Sequence, residues 1–188
     1  MAIALPAEAA AELDRVVAPL RPAWPELRWT GVDAWHLTLA FLGEVDEVVT
    51  GKLAPRLERA ARRHAPVSLS LGGAGAFPAA ARARVLWTGI HGDRRGLGLL
   101  AGSVAAGARR AGAPPAGERR GYQPHLTVAR CRVPADVSSL VDALTGFAGT
   151  LWVASEIYLI HSRLEARPRY EVLGTWPLRP AGHNPDVL

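Results

Sequence analysis

Sulfur is almost absent from this sequence: Met1 is the only methionine and Cys131 the only cysteine. A lone cysteine excludes an internal disulfide and any cysteine-rich metal cluster. No apolar run approaches the roughly 20 residues needed to cross a bilayer. The first residues also lack a basic segment followed by a long apolar one, so a secretory signal is not expected. A cytoplasmic protein without a membrane partner is the expectation. Three catalytic signatures are missing as well. Without Gly-x-Ser-x-Gly a serine hydrolase is disfavoured. Without His-Glu-x-x-His, or a carboxylate close to the recurring histidines described below, a metal centre has a poor ligand set. The glycine-rich run Gly72 to Phe77 has no Gly-Lys-Ser/Thr after it, so it is a strand end or bulge rather than a phosphate loop.

Lysine is nearly absent too. Lys52 stands alone, so the net charge of +5 is an arginine charge. Arginine suits bidentate contact with phosphate. An Arg/Ala/Gly/Pro-rich chain can equally reflect genomic base composition, so the charge favours an anionic substrate only modestly.

What is present is a pair. Trp35-His36-Leu37-Thr38-Leu39 contains a His-apolar-Thr unit that returns 89 positions later as His125-Leu126-Thr127-Val128. The alternation is that of a strand with His and Thr on one face and aliphatics on the other. Val85-Leu86-Trp87-Thr88 finds an echo 87 positions on in Val172-Leu173-Gly174-Thr175, and Ser68 to Leu71 a weaker one in Ser155 to Tyr158. The pattern predicts two lobes of similar plan, each giving one His-x-Thr strand to a shared cleft. At 188 residues the chain suits one such bilobal domain.

Read in order, Ala2 to Leu5 is a strand, and a helix follows from Pro6 until Pro19, Pro22 and Pro25 stop it. Leu27 to Thr30 and Trp35 to Leu42 read as strands joined by a turn at Gly31-Val32-Asp33. Asp46 caps a helix that Pro55 should kink or divide. Val67 to Phe77 and Arg84 to Ile90 are strands, and Leu97 to Val104 mark a glycine-weakened helix. Arg109 to Gly121 reads as a polar connection carrying four arginines. His125 to Arg130 is a strand, and Asp136 caps a short helix. Leu151 to Ser162 and Tyr170 to Leu178 form a final hairpin around Leu164 to Arg169, and residues 179–188 read as a loose tail. Strands mixed with about four helices make an α+β fold with mainly antiparallel sheets.

Two histidines across a cleft form an acid/base couple, one neutral and one charged near neutral pH. Thr38 and Thr127 can donate to the non-bridging oxygens of a phosphate as charge builds. No cofactor is called for. These residues, in the contexts Trp35 to Val45 and Tyr122 to Arg130, resemble the 2H phosphoesterase superfamily. Within it, the chain is most similar to the bacterial and archaeal RNA 2′,3′-cyclic phosphodiesterases, once called 2′-5′ RNA ligases (LigT-like). The resemblance extends through Gly72 to Phe77, Arg84 to Trp87, Glu156 to Leu164 and Tyr170 to Leu173. It implies a bilobal fold and metal-independent opening of a 2′,3′-cyclic phosphate to a 2′-phosphomonoester, reversible as 2′-5′ ligation. By the same resemblance His125 is the base and His36 the acid, an order the sequence itself does not settle. RNA or nucleotides with cyclic phosphate ends are the implied partners, and the protein is expected to be a monomer. Ala4 and Gln123 depart from residues that relatives often carry.

Softer candidates surround the pair. Arg130 holds a phosphate or is a surface arginine. Phe41 and Tyr122 stack on a base or belong to the core. Ser162 fits a serine of the resembling family near the cleft. His64, His91 and His183 are assigned to surface or loops, and His161 is undecided. Three rival readings stay open: a sister 2H enzyme acting on another cyclic phosphate or a 2′-5′ oligonucleotide, an RNA-end-binding module without turnover, and a metal-dependent hydrolase.

Overall fold

A computed structural model describes residues 1–116, 121–163 and 169–179. The chain starts in strand β1 (Ala2–Ala4) and passes into helix α1 (Ala7–Val17), where Pro6 supplies the extended residue before the first turn. Ala9, Leu13 and Val17 form the buried stripe of α1, which then tightens into a 3-10 turn at Ala18–Ala23. Strand β2 (Leu27–Trp29) and strand β3 (His36–Thr38) follow. Helix α2 (Glu47–Ala61) is capped as its sequence suggests, with Asp46 accepting from the Val49 amide at 2.7 Å.

Strands β4 (Val67–Phe77) and β5 (Ala83–Gly92) form a long hairpin, and helix α3 (Arg94–Ala111) leads on to strand β6 (His125–Ala135). Helix α4 (Ser138–Thr145) has Asp136 just ahead of it, accepting from the Ser138 amide at 2.9 Å. Strands β7 (Trp152–Ala154), β8 (Glu156–Arg163) and β9 (Arg169–Pro177) complete the described fold. None of the described helices is long and apolar enough to cross a membrane.

The strands assemble into two antiparallel sheets, ordered β3-β1-β8-β9 and β2-β6-β5-β4-β7. This is the expected α+β architecture with two lobes of like plan. Each motif strand pairs with the strand that comes last before it in its own sheet: β3 with β1, with α1 and β2 between them in the chain, and β6 with β5, with α3 between them. The internal echoes do not mark this correspondence. Val85 to Thr88 lies in β5, beside a motif strand, whereas Val172 to Thr175 lies in β9 at the far edge of its sheet. Runs of β-branched and aromatic residues fit any half-buried strand, so such short matches carry no topology.

Other expectations change in detail. Leu27–Trp29 and the strand after it are not a hairpin, because β2 pairs with β6 and β3 with β1 in the other sheet. Only His36–Thr38 of the expected Trp35 to Leu42 strand keeps a ladder partner. Leu151 to Ser162 divides at Ser155, so that β7 joins β4 and β8 joins β1 and β9. Arg109 and Arg110 belong to the last turn of α3, while Arg119 and Arg120 lie outside the described residues. So do 164–168 of the expected hairpin loop, and 180–188 of the expected tail with His183. Arg179 is held, its amide donating to the His64 carbonyl at 2.8 Å. His64 lies in the loop after α2, within the expected surface or loops; it is half-buried and meets the Ser103 hydroxyl of α3 at 2.8 Å.

One buried cluster runs through both lobes, from Ile3, Leu13 and Leu37 to Leu86, Leu100 and Leu126. Each such leucine stabilises by about 1.5–3 kcal/mol through burial. That burial explains why Pro55 neither ends nor divides α2. Leu53, Leu57, Ala60 and Ala61 hold the helix to the core, while Pro55 and Gly51 face solvent, where water can serve the carbonyl left without a donor. Pro55→Ala restores that amide without opening a void. We expect it to stabilise the protein by about 1–3 kcal/mol, read as a higher urea midpoint at unchanged slope; an unchanged or lower midpoint contradicts this account of α2.

Candidate active site

The two motifs meet because each strand buries its central aliphatic. Leu37 and Leu126 are fully buried, which turns His36 with Thr38, and His125 with Thr127, to the opposite faces of their strands. Pairing sets the heights: Ala4 lies opposite His36 and Ala2 opposite Thr38, while Gly89 lies opposite His125 and Trp87 opposite Thr127. All four motif side chains line one cavity of about 70 Å³, together with Thr30 and Arg130. That is room for a few waters or one tetrahedral phosphate group.

The imidazoles are held alike. Nδ1 of His36 is 2.9 Å from the Ala34 carbonyl, and Nδ1 of His125 is 2.7 Å from the Gln123 carbonyl. In both cases the acceptor lies two residues upstream, so Nδ1 keeps its hydrogen and Nε2 is left for the cavity. Each ring is also braced edgewise by an aromatic. Tyr170 meets His36 with ring centres 5.2 Å apart, and Phe77 meets His125 at 4.9 Å. Trp87 backs the second pair, 5.3 Å from Phe77. The glycine-rich stretch makes this possible: a Cβ on Gly75 would run into the Trp87 ring, and Gly73, with φ of +61°, sits at the bulge between β4 and β5.

Burial lowers the His36 pKa below the ordinary histidine value, partly opposed by its hydrogen bond to Ala34. Two cations add to the depression, the N-terminal ammonium and Arg130. The ammonium is itself buried, donates to the Ala40 carbonyl at 2.8 Å, and is lowered to about 6 by desolvation. His36 is therefore biased toward its neutral form until an anion enters the cavity.

Arg130 reaches this cavity through a defect in the ladder. Three residues after Thr127, simple alternation would turn it toward the core. The β5–β6 register instead slips between Leu86 and Trp87, which pair with Ala129 and Thr127 and leave Val128 as the extra residue. Val128 and Ala129 are consequently buried in succession, and Arg130 emerges on the face of His125 and Thr127.

Phe41 and Tyr122 line a second, larger groove of about 690 Å³ that shares Thr38 and His125 with the small cavity. Phe41 is 63% exposed at its mouth, which removes it from the core. Tyr122 is half-buried, and its hydroxyl donates to the Thr38 carbonyl at 3.2 Å, tying the second motif's approach to the first motif's strand. Burial raises the Tyr122 pKa well above the ordinary phenol value. Ala101, Gly102 and Ala105 of α3 keep the groove floor low. Ser162 lies opposite Tyr170 in the β8–β9 hairpin and lines neither cavity. His91 approaches the Gly72 carbonyl at 3.3 Å, and His161 stands 4.0 Å from Glu171; neither lines either cavity. Among the described residues, no three His, Cys, Asp or Glu side chains gather closely enough to hold a metal ion.

Sequence reasoning passed over Thr30, Phe77 and Tyr170. Phe77 closes the glycine-rich strand, and a large aromatic after several glycines was the available signal. Thr30 and Tyr170 gave none, because Thr30 enters through the pairing of β2 with β6 and Tyr170 on a hairpin joined to the site by the pairing of β8 with β1.

The family described as LigT like Phosphoesterase matches residues 3–87. An RNA 2′,3′-cyclic phosphodiesterase of Geobacillus stearothermophilus is 31% identical over 95% of the chain, which spans only 56% of that relative's length. The Escherichia coli K12 RNA 2′,3′-cyclic phosphodiesterase is 34% identical, with 80% of each chain covered. Among solved structures, a Thermus thermophilus protein superposes with a TM-score of 0.80 at 29% identity, covering 96% of this chain and 97% of its own. Escherichia coli LigT without ligand gives 0.74 at 31% identity, with 95% of each chain covered. With its paired His-x-Thr strands carried on a fold shared almost end to end with these two solved structures, the chain belongs to the LigT-like phosphoesterase family.

Proposed function

We propose that the protein is an RNA 2′,3′-cyclic phosphodiesterase that opens a cyclic phosphate end to a 2′-phosphomonoester using His36 and His125, without a metal, and that can run in reverse as a 2′-5′ ligase. The observation that carries the reading is the twin Nδ1-anchored imidazoles and the two threonines around one cavity the size of a phosphate. One imidazole takes the proton of water as it attacks phosphorus. The other gives its proton to the departing 3′-oxygen, so the pair ends with its charges exchanged. Thr38, Thr127 and Arg130 meet the charge that develops on the non-bridging oxygens. The relatives' names support the substrate class, and one LigT structure holds 3′-AMP. Phe41 and Tyr122, beside the reacting phosphate, offer surfaces for a base. Both motifs come from one chain, so a monomer completes the site. A cytoplasmic setting agrees with a single free, buried cysteine.

The direct test is a panel of 2′,3′-cyclic nucleotides with a cyclic-phosphate-ended RNA, the product assigned by phosphorus NMR. A 2′-phosphate is expected, and a predominantly 3′-phosphate product overturns the reading. His36→Ala and His125→Ala should each lower turnover by at least about 100-fold while the far-ultraviolet circular dichroism stays unchanged. Near-normal activity in either removes that residue from the mechanism.

Activity should persist in excess EDTA. Loss restored by one divalent ion would favour the metal-dependent alternative.

The rate should be bell-shaped in pH, since one neutral and one protonated imidazole are needed together. Removing the Arg130 charge lifts one of the causes that lowers the His36 pKa. In Arg130→Gln the His36 titration followed by NMR, and with it the limb it contributes to kcat/KM, should therefore move to higher pH. A shift to lower pH, or none, contradicts the electrostatic account.

A further inference from the structure

Arg130 has a companion. β2 lies along β6 with Arg28 directly opposite Arg130 and Trp29 opposite Ala129. Residues opposed in an antiparallel pair project from one face, and burial agrees: Leu27 and Cys131 are buried, whereas Arg28 and Arg130 are exposed. Two guanidinium groups therefore stand on strands about 5 Å apart, beside the cavity that Arg130 lines. Like charges opposed across a ladder are destabilising. Among the described residues neither arginine is within ion-pair distance of a carboxylate. Continuing the register, Glu26 falls opposite Arg132, one step further from the histidines. A repulsive pair without a counter-charge among the described residues suits a bound anion. Its place decides which anion: the histidines take the reacting phosphate, so the next anion outward is the neighbouring phosphate of the same strand.

We propose that Arg28, with Arg130 between it and the histidines, forms a second phosphate site that holds the phosphodiester next to the reacting group, making an RNA strand end the preferred substrate over a cyclic mononucleotide. The inference rests on the phosphodiesterase reading for its substrate, but the site itself can be tested by binding alone. Arginine matters here for its fork, which can span two phosphate oxygens.

The experiment compares kcat/KM for a short RNA ending in a 2′,3′-cyclic phosphate with that for a 2′,3′-cyclic mononucleotide, in wild type, Arg28→Ala and Arg28→Lys. Alongside, fluorescence anisotropy follows binding of a labelled single-stranded RNA of the same length across a salt series. Arg28 is exposed, so the variants are expected to fold, and circular dichroism checks it. The RNA-over-mononucleotide ratio should fall by about tenfold in Arg28→Ala, with Arg28→Lys between. RNA affinity should weaken, and its log–log salt slope should drop by roughly 0.7, the value for one phosphate contact on a single strand. A ratio unchanged from wild type overturns the proposal, because loss of a general structural role would lower both substrates together. If wild type opens neither substrate, the phosphodiesterase reading falls, and binding then decides the site: weaker RNA binding by Arg28→Ala sustains it, and equal binding overturns it.

Discussion

The pairing of each motif strand with the strand that comes last before it in its own sheet is the constraint on which the site depends. β3 is only three residues long, and its ladder to β1 puts His36 opposite Ala4 and Thr38 opposite Ala2. Were that register to slip by one residue, Leu37 would face the cavity and both polar groups would enter the core. The same holds for β6 against β5, where fully buried Leu126 separates His125 from Thr127. Core packing therefore fixes the orientation of the site, since the aliphatics that stabilise the sheets are the residues between the functional ones.

A second layer of order lies in the rings. Each histidine is fixed at one nitrogen by a carbonyl two residues upstream and braced on an edge by one aromatic, yet the braces come from unrelated places. Tyr170 arrives on β9 and Phe77 at the end of β4. The two imidazoles are thus alike in hydrogen bonding and different in surroundings. His36 feels burial, the N-terminal ammonium and Arg130.

The space beyond the small cavity between the motif strands divides by chemistry. Toward α3 it is an apolar groove with Phe41 and Tyr122 at its sides. Toward β2 it is a pair of exposed guanidinium groups on adjacent strands. A nucleic acid end has these two kinds of surface, flat bases and a charged backbone, and the bulge at Val128 gives the charged side its inner member.

Much of this protein is readable from local sequence. His36-Leu37-Thr38 and His125-Leu126-Thr127 declare both strands and their polar faces because alternation is a property of the backbone itself. The Asp46 cap, the helices and the glycine-rich strand are local for the same reason. Tertiary structure alone decided the partners. It sent β2 and β3 to different sheets, divided Leu151 to Ser162 between them, and brought Thr30 and Tyr170 to the cavity. It also turned Arg130 outward through a register shift that needs two strands to exist. The physical reason is common to all of these. A strand's alternation is written along its own residues, but its neighbours are chosen by long-range burial and hydrogen bonding, which no single segment encodes.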